Sequence, residues 1–122
     1  MKNILLGVSG SISAADITNQ LTKLGYNLDV VMTKSSTEFI TPLTIQSLSH
    51  RLVHLDVMDE PDAALINHIA LAKAADLFLV APASANIIGK LANGIADDLL
   101  STVALALLPD TPKVIAPAMN TY

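Results

Sequence analysis

Apolar residues fall in short runs separated by polar, glycine-bearing breaks, and the period within each stretch distinguishes strand from helix. Ile4-Leu5-Leu6-Gly7-Val8 is a continuous apolar run, the pattern of a strand covered on both faces. Beyond Ser9-Gly10-Ser11 the period lengthens. Ile17, Leu21 and Leu24 recur at helical spacing between Ile12 and Leu24, and Gly25 provides the stop. Leu28 to Met32 reads as a second strand with the loop Thr33-Lys34-Ser35-Ser36 at its end. A helix follows from Pro42 to Ser49, then a short strand from Val53 to Val57. Pro61-Asp62 opens another helix, carried by Leu65, Ile69 and Ala72 to Ala75. Leu77-Phe78-Leu79-Val80 is the clearest buried strand and runs out into Ala81-Pro82-Ala83-Ser84-Ala85-Asn86, a second strand–loop–helix passage. Asp97-Asp98 precedes a helix from Leu99 to Leu108 that is apolar nearly all round, its acids suited to the positive end of the helix dipole. Lys113 to Pro117 gives a last strand.

Strands alternating with helices imply a parallel sheet covered on both faces. The expected architecture is α/β, a flavodoxin-like doubly wound parallel sheet in a single domain over residues 1–122. Ligands of such sheets bind beyond the carboxyl ends of the strands, where the strand order reverses. Four loops therefore matter: those after Val8, Met32, Val80 and Ala116.

Composition narrows the partners. The 122 residues are 52% hydrophobic and 15% charged, with a net charge of −4, which is unlike a nucleic-acid surface. So few charges on a small domain imply that some apolar surface is covered by other subunits. Cysteine is absent, so neither a disulfide framework nor a Cys-ligated metal site is expected. No metal-spaced His/Asp cluster appears. The charge-free run Leu77 to Gly89 contains Pro82 and is too short to span a bilayer. Met1 to Gly7 turns polar too soon for a secretory signal, so a cytoplasmic location is expected.

The four loops carry chemistry suited to an anion. In Gly7-Val8-Ser9-Gly10-Ser11-Ile12-Ser13, glycine permits close backbone approach, and hydroxyls and helix N–H groups can donate. The loop matches neither the dinucleotide fingerprint nor a Walker loop. It also reads as an ordinary serine-rich turn with an N-cap. Thr33-Lys34-Ser35-Ser36 stands where an NAD-binding fold would place a ribose-binding acid, and it suits a phosphate-bearing mononucleotide better. Ser84 and Asn86 bring a hydroxyl and an amide to the same sheet edge, as does Asn120 in Ala116-Pro117-Ala118-Met119-Asn120. His68 is the candidate for proton transfer, since histidine titrates nearest neutral pH, although a packed helix histidine is the plainer reading. His50 and His54 read as surface residues. Asp97-Asp98 reads as a helix start rather than an acid–base pair.

Taken together, Gly10-Ser11-Ile12, His68-Ile69-Ala70-Leu71-Ala72-Lys73-Ala74-Ala75-Asp76, the run from Ala81 to Lys90, the run from Ala92 to Ser101, and Pro117-Ala118-Met119-Asn120 resemble the flavin-dependent cysteine decarboxylases. The resemblance covers nearly the whole chain. It implies FMN bound at the sheet edge between subunits of a homo-oligomer, a trimer or a dodecamer. It also implies decarboxylation of the small molecule 4′-phosphopantothenoylcysteine to 4′-phosphopantetheine in coenzyme A biosynthesis. In that chemistry the thiol-bearing carbon is oxidised to a thioaldehyde, which gives the departing carboxylate an electron sink, and is then reduced again. Carried over by position, His68 matches the catalytic histidine, while Asn120 and Met119 match the substrate-binding motif. Gly10, Ser11, Ile12, Thr33, Ser35, Ser84, Ala85, Asn86, Ile87 and Ala118 match the flavin contacts. Relatives carry a few more residues between Ala14 and Asp16. Their substrate-covering flap, with its cysteine, would lie past Tyr122, so a flavoprotein domain without that flap is expected.

Three other readings share parts of this pattern. Flavin prenyltransferases share the fold but lack the His68-Ile69-x-Leu71 pattern. Peptidyl-cysteine decarboxylases share the chemistry with a peptide substrate. A non-catalytic flavin-binding subunit would have no evident need of both His68 and Asn120.

Overall fold

The computed structural model describes residues 2–9, 13–55 and 61–117, with side chains from residue 68 onward in the last stretch. Five parallel strands form one sheet in the order β3-β2-β1-β4-β5: β1 Asn3–Val8, β2 Asn27–Met32, β3 His54–Leu55, β4 Leu77–Ala83 and β5 Lys113–Pro117. Without the two-residue β3 the order reads β2-β1-β4-β5, the start of the flavodoxin-like arrangement that the alternation predicts. The direction of travel reverses between β1 and β4, which makes that crevice the switch point.

Each face of the sheet has its own apolar layer because neighbouring side chains on a strand point to opposite sides. Ile4, Leu6, Val8, Leu28, Val30 and Met32 pack on the side of α1 (Ala14–Lys23) and α2 (Pro42–Ser49). Leu5, Val31, Phe78 and Val80 pack on the side of α3 (Pro61–Ala74), α4 (Ala85–Asn93) and α5 (Leu99–Ala106). Gly7 is required by this second layer. A Cβ there would stand 2.5 Å from Leu100 Cδ1 and 3.3 Å from its Cγ, so the missing side chain lets α5 lie against β1.

Local chemistry sets the helix ends. Thr41 caps α2 by accepting from the Thr44 N–H, with Pro42 in the first turn, and His50 ends it at φ 61°. Asp98 caps α5 in a capping box with Ser101, so Asp97-Asp98 marks a helix start as expected.

Several boundaries differ from the sequence reading. β4 continues to Ala83, because Pro82 lies beyond the β1–β4 pairing and its carbonyl accepts from the Ser9 N–H. The β4–β5 register shifts over the same stretch. Residues 35–38 form a 3-10 turn rather than open loop. The strand expected from Val53 is described only as His54–Leu55, and residues 56–57 lie outside the described residues. α5 ends at Ala106, and its outer side is open: Leu105 is 61% exposed. β5 is exposed along its whole length, Val114 and Ile115 included.

Candidate functional site

At the carboxyl edge of the strands, beside the switch point, a cavity of about 320 Å³ opens between the ends of β1 and β2 and the starts of α4 and α5. Ser9 builds its floor. Its Oγ accepts from the Ser84 N–H (2.9 Å) and donates to the Pro82 carbonyl (3.2 Å), so the end of β1 is stitched to the end of β4. A hydroxyl that sequence alone reads as a ligand donor is thus committed to the scaffold.

Thr33 and Ser35 form one wall. Thr33 Oγ1 accepts from the Ser36 N–H, and Thr33 is tied to β1 through its own N–H to the Val8 carbonyl. The Thr33 and Ser35 hydroxyls lie 3.3 Å apart. Lys34 and Glu38 complete this side, and neither makes an ion pair among the described residues. Opposite them, Ser84 caps α4, its Oγ accepting from the Ile87 N–H at 3.3 Å. That bond uses a lone pair and leaves the hydroxyl proton for a ligand. The Ala85 and Asn86 N–H groups belong to the first turn, where no intrahelical carbonyl can serve them. Ile87 supplies a buried apolar contact, and Asn86 is exposed on the rim.

The far wall is ionic. Lys90 Nζ lies 2.9 Å from both Asp97 Oδ1 and Asp98 Oδ2. The bond to Asp98, then that to Asp97, raises the Lys90 pKa. Burial pushes Asp98 up, but the hydrogen bonds from Lys90 and Ser101 together hold it below the usual carboxylate range.

The structure therefore brings Thr33, Ser35, Ser84, Asn86 and Ile87 together around one cavity. Ala85 is exposed and does not line it. His68 is buried on α3, the helix packed on α5 and β1, and does not line it either. Gly10, Ser11, Ile12, Ala118, Met119 and Asn120 lie outside the described residues. His54, read from sequence as a surface residue, is half-buried on β3. Burial lowers its pKa, against the pull of Asp29 and with the help of Arg51, which pairs with Asp29 at 2.7 Å. The sequence reading missed Lys90 and Glu38 as lining residues. The signal for Lys90 was its position one turn after Asn86, on the same helical face.

A doubly wound sheet with hydroxyls and a helix start beside its switch point has the arrangement in which such folds bind phosphate-bearing nucleotides. The sequence profile described as Flavoprotein matches residues 1–122, and the chain belongs to that family. It is 58% identical over 123 residues to a probable phosphopantothenoylcysteine decarboxylase of Streptococcus mutans, spanning 98% of this chain and 69% of the relative. It is 49% identical over 124 residues to the coenzyme A biosynthesis bifunctional protein CoaBC of Bacillus subtilis, spanning 99% of this chain and 30% of that protein. Among solved structures, the FMN-dependent cysteine decarboxylase SpaF superposes with a TM-score of 0.84 at 33% identity, covering 99% of this chain and 70% of SpaF. A PPC decarboxylase mutant complexed with pantothenoylaminoethenethiol superposes with a TM-score of 0.76 at 32% identity, covering 98% of this chain and 68% of that one.

Proposed function

We propose that this protein is the decarboxylase of 4′-phosphopantothenoylcysteine in coenzyme A biosynthesis, with FMN held in the cavity at the switch point. The observation that carries the reading is that cavity: hydroxyls from two strand ends and free amides at the start of α4 converge where a ribityl phosphate needs donors. The donor set fits FMN. Ser84 and the Asn86 amide at the start of α4 can donate to it, Thr33 and Ser35 can bind its polyol or phosphate, and Ile87 offers an apolar surface to a ring. Bound there, FMN supplies the two-electron oxidation and re-reduction of the substrate's thiol-bearing carbon. Gly10, Ser11, Ile12 and Ala118 complete the flavin contacts in this reading.

The chain's own residues then bind, orient and move a proton. His68 does not line this chain's own cavity, and in this reading it exchanges a proton with the reacting cysteine end of a substrate bound between subunits, from a helix fixed against α5 and β1. Asn120 holds the departing carboxylate by its amide, with Met119 beside it. The 58% identity to the Streptococcus mutans relative favours the small pantothenoyl substrate over a peptide.

The exposed apolar residues of α5 and β5 support a homo-oligomer, and the resemblance to the cysteine decarboxylases makes the trimer its building block in this reading. Among the described residues no helix is long and apolar enough to cross a membrane, and the likeness to enzymes of coenzyme A biosynthesis supports a cytoplasmic setting.

Purified full-length protein should be yellow, release a flavin monophosphate on heating, and convert 4′-phosphopantothenoylcysteine to carbon dioxide and thiol product. His68→Asn should keep the fold and the flavin while turnover falls by about 10²–10⁴-fold, the share of a positioned acid–base group. Asn120→Asp should instead weaken substrate binding, because a second carboxylate repels the first. Full turnover in flavin-loaded His68→Asn protein would remove the histidine from the mechanism, and a colourless protein that takes up no FMN would remove the reading itself.

A further inference from the structure

Lys90 is a charged group on the cavity wall to which the proposed function gives no role. It stands on α4 one turn after Asn86, and its side chain is only 18% exposed. Its ammonium is shared between Asp97 and Asp98, 2.9 Å from each. Asp98 simultaneously caps α5, accepting from the Ser101 N–H at 2.7 Å. One cation thus joins α4 to the first turn of α5 across residues 94–98, where the backbone adds a bond from the Ile95 N–H to the Lys90 carbonyl.

Stability accounts for the Lys90–Asp98 pair, whose side chains are 18% and 10% exposed, but only weakly for the contact to Asp97. Asp97 is 61% exposed, and an ion pair at such a position contributes little. The charge count is more telling. Three carboxylates line the cavity against two lysines: Asp97 and Asp98 on this side, both paired with Lys90, and Glu38 on the opposite wall with Lys34. Without Lys90 the α5 side would present two carboxylates with no cation beside them, Asp98 still bonded to Ser101. An anionic ligand would meet that repulsion directly.

We propose that Lys90 is a positioning residue for the flavin mononucleotide: clamped by Asp98 and Asp97, it fixes the start of α5 as one wall of the cavity and masks both carboxylates from the anionic ligand. This rests on the FMN reading above. The lysine contacts the ligand's surroundings rather than the reacting atoms, so its effect lies in flavin affinity and orientation.

The test uses full-length apoprotein, FMN titration by fluorescence quenching, and the visible circular dichroism of the bound flavin. Lys90→Met should raise the FMN Kd about tenfold or more, the size of one uncompensated charge contact. It should also change the dichroism, whereas Lys90→Arg restores both. Lys90→Met combined with Asp98→Ser is the decisive variant, because serine retains the α5 cap while the excess carboxylate is gone. Masking predicts that the double variant binds FMN more tightly than Lys90→Met alone; a purely structural clasp predicts that it binds no better. Should Lys90→Met not fold, Lys90→Gln, which keeps a donor but not the charge, decides by the same limits. Unchanged affinity and dichroism in a folded Lys90 variant would overturn the proposal, as would a double variant no tighter than the single. Wild-type protein that binds no FMN would instead overturn the flavin reading, and this role with it.

Discussion

Strands β1 and β5 belong to the same parallel sheet, yet they live in opposite surroundings. β1 lies between two neighbours and under helices on both faces, with Leu5, Leu6 and Val8 at 1% exposure or less. β5 pairs only with β4, and all five of its residues are exposed. The apolar content of the two is similar, so burial rather than composition separates them. The chain's own helices finish the centre of the sheet and leave one edge to be covered by something else. Apolar surface at the centre holds the fold, and apolar surface at the edge is available for association.

Substitutions at the centre should cost the most. Leu100→Ala removes the side chain that fills the space above Gly7, and should lower unfolding free energy by about 2–5 kcal/mol in denaturant titration. Gly7→Ala attacks the same contact from the strand side. Its added Cβ would force Leu100 to move in a filled layer, for about 1–3 kcal/mol. A loss below ~0.5 kcal/mol for both would show that the centre is as loosely built as the edge, and the contrast would fail.

Between centre and edge stands the α5 cap. Asp98→Ala should cost about 1 kcal/mol as a lost N-cap. The pH dependence has a definite sign. Asp98 titrates lower in the folded state, held down by Lys90 and Ser101 against its burial, so its contribution is present above the ordinary carboxylate pKa and is lost as pH falls through the folded value. The acid limb of the stability curve should therefore flatten in Asp98→Ala, measured by thermal melts from neutral pH downward. An unchanged acid limb would assign that slope to other carboxylates.

The edge should behave in the opposite way. Val114→Lys on β5 should change monomer stability by no more than about 0.5 kcal/mol, because the position is already in water. Light scattering should nonetheless show a smaller species than wild type if this strand lies in a subunit contact. A variant that stays fully assembled would place the contact elsewhere.

Much of this layout is legible in the sequence because it is local. The glycine-edged run at Ile4–Val8, the helical spacing of Ile17, Leu21 and Leu24, and the acid pair before Leu99 each declare an element within a few residues. What depended on distant pairing was harder to read. Nothing near Ser9 announces that its hydroxyl is spent on Pro82 and Ser84, residues 73 and 75 positions away. His54 reads as surface because nothing local shows that its strand would be drawn under cover beside Asp29 and Arg51. Lys90 draws no reading of its own from sequence, because its partners Asp97 and Asp98 meet it only once α5 is folded back against α4. The hydroxyl loops were recognisable as a group, but their individual assignments divided: Ser84, Thr33 and Ser35 line the cavity, and Ala85 does not.

The strand order also sets the sequence of events during folding. β1 finds β2 across 24 residues, through Asn3 and Asn27, but reaches β4 only across 73. Closing the longer loop costs about 1 kcal/mol more in chain entropy, a threefold difference in length at roughly 0.6 kcal/mol per doubling. The β1–α1–β2 crossover unit can therefore form early, while the crevice between β1 and β4 waits for the least local pairing in the sheet. Since the cavity lies at that crevice, a ligand bound there would act on the last step of assembly, slowing the unfolding rate more than it speeds folding.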